Sequence, residues 1–185
     1  NHCNLMPNMP NLISPHFVRT LALDPMDHPR GQPYLSAASG LVRVRQRLYV
    51  VADDELHLGV FEEHPTPRPT DDDLAPGTLV RLLEGVLPHD KGKRKTATPD
   101  LETLAQLPPW RGGPAGALLA LGSGSKPQRE TGVLVGLDVQ GVPTGRMASV
   151  DLAPLYAPLR KRFDDLNIEG AFMLSGDLLL LHRGN

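Results

Sequence analysis

The chain has 185 residues, of which 40% are hydrophobic and 22% are charged, and its formal net charge is −2 at pH 7. That length is enough for a domain with its own core, and the composition is ordinary for a soluble globular protein. The small negative charge argues against a nucleic-acid or membrane partner, the single cysteine excludes an intrachain disulfide, and every apolar run is shorter than the roughly 18 residues of a membrane-spanning helix.

The first fifteen residues lack both the basic start and the continuous apolar stretch of a secretory signal. We interpret residues 1–15 as a disordered lead-in and expect residues 16–185 to form the domain. The same observation favours a cytoplasmic protein, or a periplasmic one if a signal has been removed.

Short alternating segments predict strands through the first half of the chain. The predicted strands are residues 17–23, 41–44, 48–52, 56–61 and 78–83, with a proline-rich acidic loop at 62–77. The last four of these strands follow one another closely, as they do in one antiparallel sheet.

The second half mixes strands with two predicted helices. Residues 87–99 are basic and polar and are predicted to be a loop. Asp100 is a candidate cap for a short helix over 101–107, since Leu101 and Leu104 lie on one helical face. Strands are predicted at 117–121, 131–138 and 146–152. A second helix is predicted over 151–163, with Asp151 as its cap and an apolar stripe at spacings of three and four.

Two distant segments share one layout. Residues 167–185 are predicted to be two strands around a turn, and residues 169–184 of this segment align without a gap on residues 39–54, with Gly40 on Gly170 and Asp53 on Arg183. Recurring strand–turn–strand units are typical of repeat folds. We therefore predict an all-β protein of β-propeller-like antiparallel blades, with one or two short helices.

The predicted strands account for about two blades and the start of a third, roughly half of a propeller. A closed propeller has at least four blades. We expect the remaining blades to come from a longer chain or from a partner chain.

Four segments together resemble a bacterial family of uncharacterised propeller-like proteins: residues 36–40 with 49–54, 87–100, 121–125 with 129–130, and 167–170 with 183–185. The resemblance covers about residue 17 to the end and implies a fold but no activity. Glu169-Gly170 is also distantly similar to the regucalcin/gluconolactonase and phytase-like esterase propellers. That likeness implies that Glu169 is a divalent-metal ligand in a central channel.

Glu169 is therefore the first candidate site residue. Its carboxylate can bind Ca²⁺, a hard cation, with help from Asn167 or Asn185. The alternative is structural: Glu169 hydrogen-bonds the neighbouring backbone or pairs with Arg183.

The run at 89–95 supplies the second set of candidates. Lys91 and Lys95 can contact an anionic substrate, together with Arg183, if this segment lies over the channel. A solvated loop is the alternative. The loop at 122–126 can also cradle an anion, but its spacing is not that of a P-loop and a turn is favoured.

Two classes of function fit these residues. One is a non-catalytic scaffold that binds a small molecule or a protein at the central channel. The other is a metal-assisted hydrolase, similar to esterases, lactonases or phytases, in which a metal held by Glu169 polarises the bond to be cleaved.

Overall fold

The computed structural model describes residues 17–63 and 75–184. Within these residues it contains ten strands, two short helices and one 3₁₀ turn. The strands are β1 (Ala38–Val44), β2 (Arg47–Ala52), β3 (His57–Glu62), β4 (Thr78–Arg81), β5 (Leu101–Leu107), β6 (Ala117–Gly122), β7 (Thr131–Leu137), β8 (Pro143–Asp151), β9 (Ile168–Leu174) and β10 (Asp177–His182). The helices are α1 (Lys91–Ala97) and α2 (Ala153–Arg160), and the 3₁₀ turn is Pro127–Arg129.

The strands form three antiparallel groups in chain order. Sheet 1 contains β1 to β4, sheet 2 contains β5 to β8, and hairpin 3 contains β9 and β10. The prediction of a mostly β protein with antiparallel sheets is confirmed. Within the described residues, neither helix has the length or the apolar character needed to cross a bilayer.

The three groups are stacked through their first strands, since β5 lies against β1 on one side and against β9 on the other. One apolar core fills the space between sheets 1 and 2 and includes Tyr49, Val51, Leu104 and Leu118. A second core lies between sheet 2, α2 and hairpin 3 and includes Leu121, Tyr156 and Ile168. Sheet 2 is therefore covered on both faces, which explains why every residue of β6 is buried.

Each first strand carries a β-bulge near its start. The strand pairing skips one residue in β1, β5 and β9, and the skipped residues are Ser39, Glu102 and Glu169. A bulge redirects the side chain of the extra residue and is frequent beside functional sites. The three hairpins thus present one polar residue each from a corresponding position.

A second shared feature fixes this correspondence. The carbonyl of the residue two places before each bulge accepts a hydrogen bond from the residue just after the second strand of the same hairpin. The three bonds join Asp53 N to Ala37 O at 3.2 Å, Ser123 N to Asp100 O at 3.0 Å and Arg183 N to Asn167 O at 2.9 Å. The β1–β2 and β9–β10 pairs follow the gapless alignment, because each has a two-residue turn. The β5–β6 pair does not, because its strands are joined by nine residues, 108–116.

The predicted helix over 101–107 is wrong, because these residues form strand β5. The spacing of Leu101 and Leu104 suits a helix, but β5 pairs with β6 and has packing partners on both faces. Burial on both faces overrides a weak local helix preference.

The predicted loop at 87–99 contains helix α1. Asp90 caps it by accepting a hydrogen bond from Lys93 N at 2.8 Å, which satisfies one of the free N–H groups of the first turn. Arg94 is buried and donates to the carbonyl oxygens of Pro88 and His89. Because the partners of Arg94 lie outside the helix, these hydrogen bonds attach α1 to the segment that precedes it.

Two further boundaries differ from the prediction. Residues 17–23 make only an isolated bridge between Leu23 and Gly77 and are not a strand. The second helix is shorter than predicted, and its cap position is Leu152, while Asp151 accepts from Ala153 N at 2.9 Å. The predicted lead-in at 1–15, most of the acidic loop and Asn185 lie outside the described residues.

Candidate functional site

The polar residues at the starts of the first strands lie together because the strands are adjacent. Glu102 stands at the bulge of β5, between Ser39 of β1 and Glu169 of β9. Asp53, just after β2, and Asp100, just before β5, complete the group. We call these residues the strand-start site.

Three carboxylates of this site are close together. One oxygen from each of Asp53, Asp100 and Glu102 lies within 4.8 Å of the other two. Asp100 is buried and the other two are half-buried. Like charges at this separation disfavour the ionised form of their neighbours.

The pKa values reflect this crowding. Burial, followed by the charges of Asp100 and Glu169, raises the pKa of Glu102 to about 7, although a hydrogen bond from Ser39 opposes the shift. Burial and the charges of Asp54 and Asp100 also raise the pKa of Asp53, against the attraction of Lys95 and Arg129. In both groups the neutral form of the carboxyl is therefore favoured more than in water.

Asp100 has its own partners. Its Oδ2 accepts a hydrogen bond from Ser123 Oγ at 2.5 Å and lies 2.9 Å from Arg129 Nη1. Arg129 is itself buried, and its Nη2 donates to the carbonyl of Lys95 at 2.9 Å, which connects α1 to the site. The backbone φ of Asp100 is 58°, a left-handed conformation that is uncommon outside glycine.

A second charged group lies directly beside the strand-start site. Asp54 accepts from Ser36 Oγ at 2.8 and 2.9 Å, from Arg94 Nε at 3.0 Å and from Arg30 Nη1 at 3.4 Å. Arg30 also pairs with Glu55, which lies 3.2 Å from His28 Nε2. We call this group the Asp54 network, and its charges are mutually paired.

A groove of about 810 Å³ lies at the other end of β5, under the 108–116 loop. It is lined by Trp110, Met147 and Arg146 among others, and the Trp110 indole packs closely on Gly112 and Gly113. The carboxylates of the strand-start site are not among its lining residues. The size of this groove therefore does not bear on the chemistry of that site.

A family model matches residues 34–185, which is well over half of the chain. The chain belongs to a family of unknown function, DUF6929. No curated protein and no solved structure matches it.

Membership of DUF6929 confirms the resemblance to an uncharacterised family. The comparisons give no support to the finer likeness to propellers or to the regucalcin/gluconolactonase and phytase-like enzymes, which stays a hypothesis.

The structure brings Glu169, Asn167 and Arg183 together. Glu169 Oε1 accepts from Asn167 Nδ2 at 2.7 Å and lies 3.2 Å from Arg183 Nη1. The pairing of Glu169 with Arg183 is the one expected if Glu169 has a structural role instead of a metal-binding role. Asn185, the third predicted ligand, lies outside the described residues, so a metal role for these residues stays a prediction.

The two predicted lysines both lie on α1 and are exposed. The charge of Lys95 is close enough to lower the pKa of Asp53, so this lysine lies beside the strand-start site. Lys91 begins the helix. A contact between either lysine and an anionic substrate stays a prediction.

Sequence reasoning missed Glu102 and Asp100, because it placed them in and before a helix. A signal was available: Glu102 directly follows an apolar residue, Leu101, and precedes an apolar strand, as Glu169 follows Ile168 and precedes one. The nine-residue loop at 108–116 hid it, because β1 and β2, like β9 and β10, are joined by only two residues.

Proposed function

We propose that this DUF6929 chain is a β-propeller-like scaffold that binds a small, positively charged ligand at the strand-start site. The proposal is supported by the stacking of three first strands with a bulged polar residue at the corresponding position of each. In a propeller these positions converge on a central channel.

The observation that carries the proposal is the cluster of Asp53, Asp100 and Glu102, whose carboxylate oxygens lie within 4.8 Å of one another. Asp100 pairs with Arg129 and Glu169 pairs with Arg183, whereas the pKa values of Glu102 and Asp53 are raised. A cation placed between these two carboxylates would lower both pKa values and satisfy both charges. Strongly perturbed carboxyl groups at a polar site are candidates for binding.

Thermal unfolding with added ligand tests this proposal. A ligand that binds only the folded protein must raise the thermal midpoint by mass action. We expect a small diamine such as putrescine, or CaCl₂, to raise the midpoint at pH 8 and to have a smaller effect at pH 6, where Glu102 is largely protonated.

Two variants make the test specific. Glu102→Gln should abolish the ligand-induced shift, whereas Glu62→Gln, which alters a half-exposed glutamate of β3 paired with Arg47, should retain it. Equal shifts in the two variants would remove the strand-start site from consideration.

The second candidate function is a metal-assisted hydrolase. It is favoured by the three carboxylate oxygens within 4.8 Å, an arrangement that suits a hard cation such as Ca²⁺. The proposed ligands are then Asp53, Asp100 and Glu102 in place of Glu169, Asn167 and Asn185. A bound cation can polarise an ester or phosphoryl oxygen or lower the pKa of a bound water.

Metal analysis and hydrolysis assays separate the two functions. A hydrolase should contain stoichiometric metal and should cleave an ester, lactone or phosphate monoester. The activity should disappear on chelation, return with Ca²⁺ and be lost in Glu102→Gln. Ligand-induced stabilisation without hydrolysis supports the binding scaffold instead.

A further inference from the structure

Hairpin 3 presents an apolar face to solvent. Phe172, Leu174 and Leu181 are 42%, 55% and 54% exposed. Leu179 pairs with Phe172, and side chains of paired or alternate residues point to the same side of a sheet, so these four residues share one face. We call it the forward face of hairpin 3.

The opposite face of the hairpin is already covered. Ala171, Leu178 and Leu180 alternate with the forward residues and pack in the core shared with sheet 2. A two-stranded hairpin is marginally stable by itself, so apolar residues on its second face favour a second covering layer.

Sheets 1 and 2 show what covers the corresponding residues. In sheet 1, Val42, Val44, Tyr49 and Val51 hold these positions and belong to the core between sheets 1 and 2. In sheet 2, Leu107, Leu119 and Leu121 hold them and belong to the core with hairpin 3. In both cases the next group of strands covers the forward face.

We propose that a further antiparallel β-sheet covers the forward face of hairpin 3, in the way that sheet 2 covers sheet 1. The covering face should carry leucine and alanine, since Leu104, Leu118 and Ala120 supply it for sheet 1 and Ala171, Leu178 and Leu180 supply it for sheet 2.

A second copy of this chain is a poor occupant. The surface that a second copy would offer is the face of sheet 1 that points away from sheet 2. Val50 and Phe61 on that face would have to be exposed. That region is covered by the chain itself, because Leu21, Leu23 and Leu35 pack with Val50 and Phe61.

Lysine substitutions test the proposal in the protein as the cell makes it. Leu181→Lys puts a charge on the forward face, and Val139→Lys is the matched control at a position that is 65% exposed, in the connection between β7 and β8. We expect the thermal midpoint to fall by about 10 °C for Leu181→Lys. A buried lysine lowers the free energy of unfolding by several times the amount that shifts the midpoint of a domain of this size by about 2–4 °C. The control should change it by about 1 °C.

Light scattering of both variants identifies the occupant. A lower midpoint with an unchanged molar mass supports the covering sheet. A midpoint as high as that of the control overturns the proposal, and so does a fall in mass from dimer to monomer, which would assign the face to a second copy.

Thiol labelling keeps the test decisive if Leu181→Lys does not fold. In a Cys3→Ser background, Leu181→Cys should react with a maleimide at least tenfold more slowly than Val139→Cys. Equal rates would mean that the face is open to solvent. These residues lie outside the strand-start site, so ligand binding and coverage of the face can fail independently.

Discussion

Asp53 and Asp54 are neighbours in one turn, yet the fold gives their charges opposite environments. Asp54 is bonded to Arg30, Arg94 and Ser36. Asp53 faces Asp100 and Glu102, and its pKa is raised in spite of Lys95 and Arg129. The comparison separates a carboxylate that is paired with arginines from one that lies beside two other carboxylates.

The Asp54 network joins three segments that are far apart in the sequence. Arg30 and Ser36 precede β1, Asp54 follows β2, and Arg94 lies on α1. The side chains of Arg30, Asp54 and Arg94 are 6%, 15% and 9% exposed, so removal of one partner leaves a charge with little access to water. In the strand-start site, by contrast, the half-buried Asp53 and Glu102 lie beside another carboxylate, Asp100.

The largest predicted effect breaks the Asp54 network. Arg94→Ala should lower the free energy of unfolding by about 3 kcal/mol, because it removes the closer of the two arginines that pair with the half-buried Asp54 carboxylate and two bonds to backbone carbonyls. Urea unfolding measures the change. Lys93→Ala, an exposed change on the same helix, should cost less than about 0.5 kcal/mol, and equal losses would show that the helix and not the ion pair is responsible.

Paired amide substitutions sharpen the comparison directly. Asp54→Asn at pH 7 should lower the free energy of unfolding by about 2 kcal/mol, since its arginine partners stay buried. Asp53→Asn should leave it unchanged or raise it slightly, because the variant removes a partly buried charge and its repulsion from Asp54 and Asp100. Two losses of the same size would contradict the assignment of different roles.

The pH dependence of stability tests Glu102. Its pKa is about 7 in the folded protein against an ordinary value of 4.5, so the folded state binds more protons between these values. The contribution of Glu102 to stability should therefore fall as the pH rises from 4.5 to 7 and should be constant above that range.

Glu102→Gln removes this titration. We expect the variant to be about 1 kcal/mol more stable than the parent at pH 8 and to lose that advantage at pH 4.5, a range that urea unfolding can resolve. An unchanged pH profile would mean that the carboxyl of Glu102 is not crowded.

The smallest predicted effect concerns the pair of Arg183 and Glu169. The arginine side chain is 65% exposed, and exposed ion pairs contribute little to stability. Arg183→Ala should change the free energy of unfolding by less than about 0.5 kcal/mol. A larger loss, measured by the same method, would place this pair with the Asp54 network.

Local patterns predicted the hairpins that have short turns. Residues 41–52 and 168–182 alternate around two-residue turns, and both became the strand pairs that were expected. The same reasoning failed at β5, whose leucine spacing suits a helix and whose partner strand follows a long loop. It also failed at α1, where a cap at Asp90 and a buried Arg94 outweighed a composition typical of loops.

By itself, the sequence determined that strands joined by turns would form antiparallel sheets, because alternation and turn residues act over a few neighbouring positions. It also placed Glu169, Asn167 and Arg183 near one another, since they lie on one hairpin. Only the tertiary structure decided that Asp53 meets Asp100 and Glu102, because that contact depends on the packing of β1 and β2 against β5. Packing between strands distant in the chain leaves no local pattern from which such a meeting can be deduced.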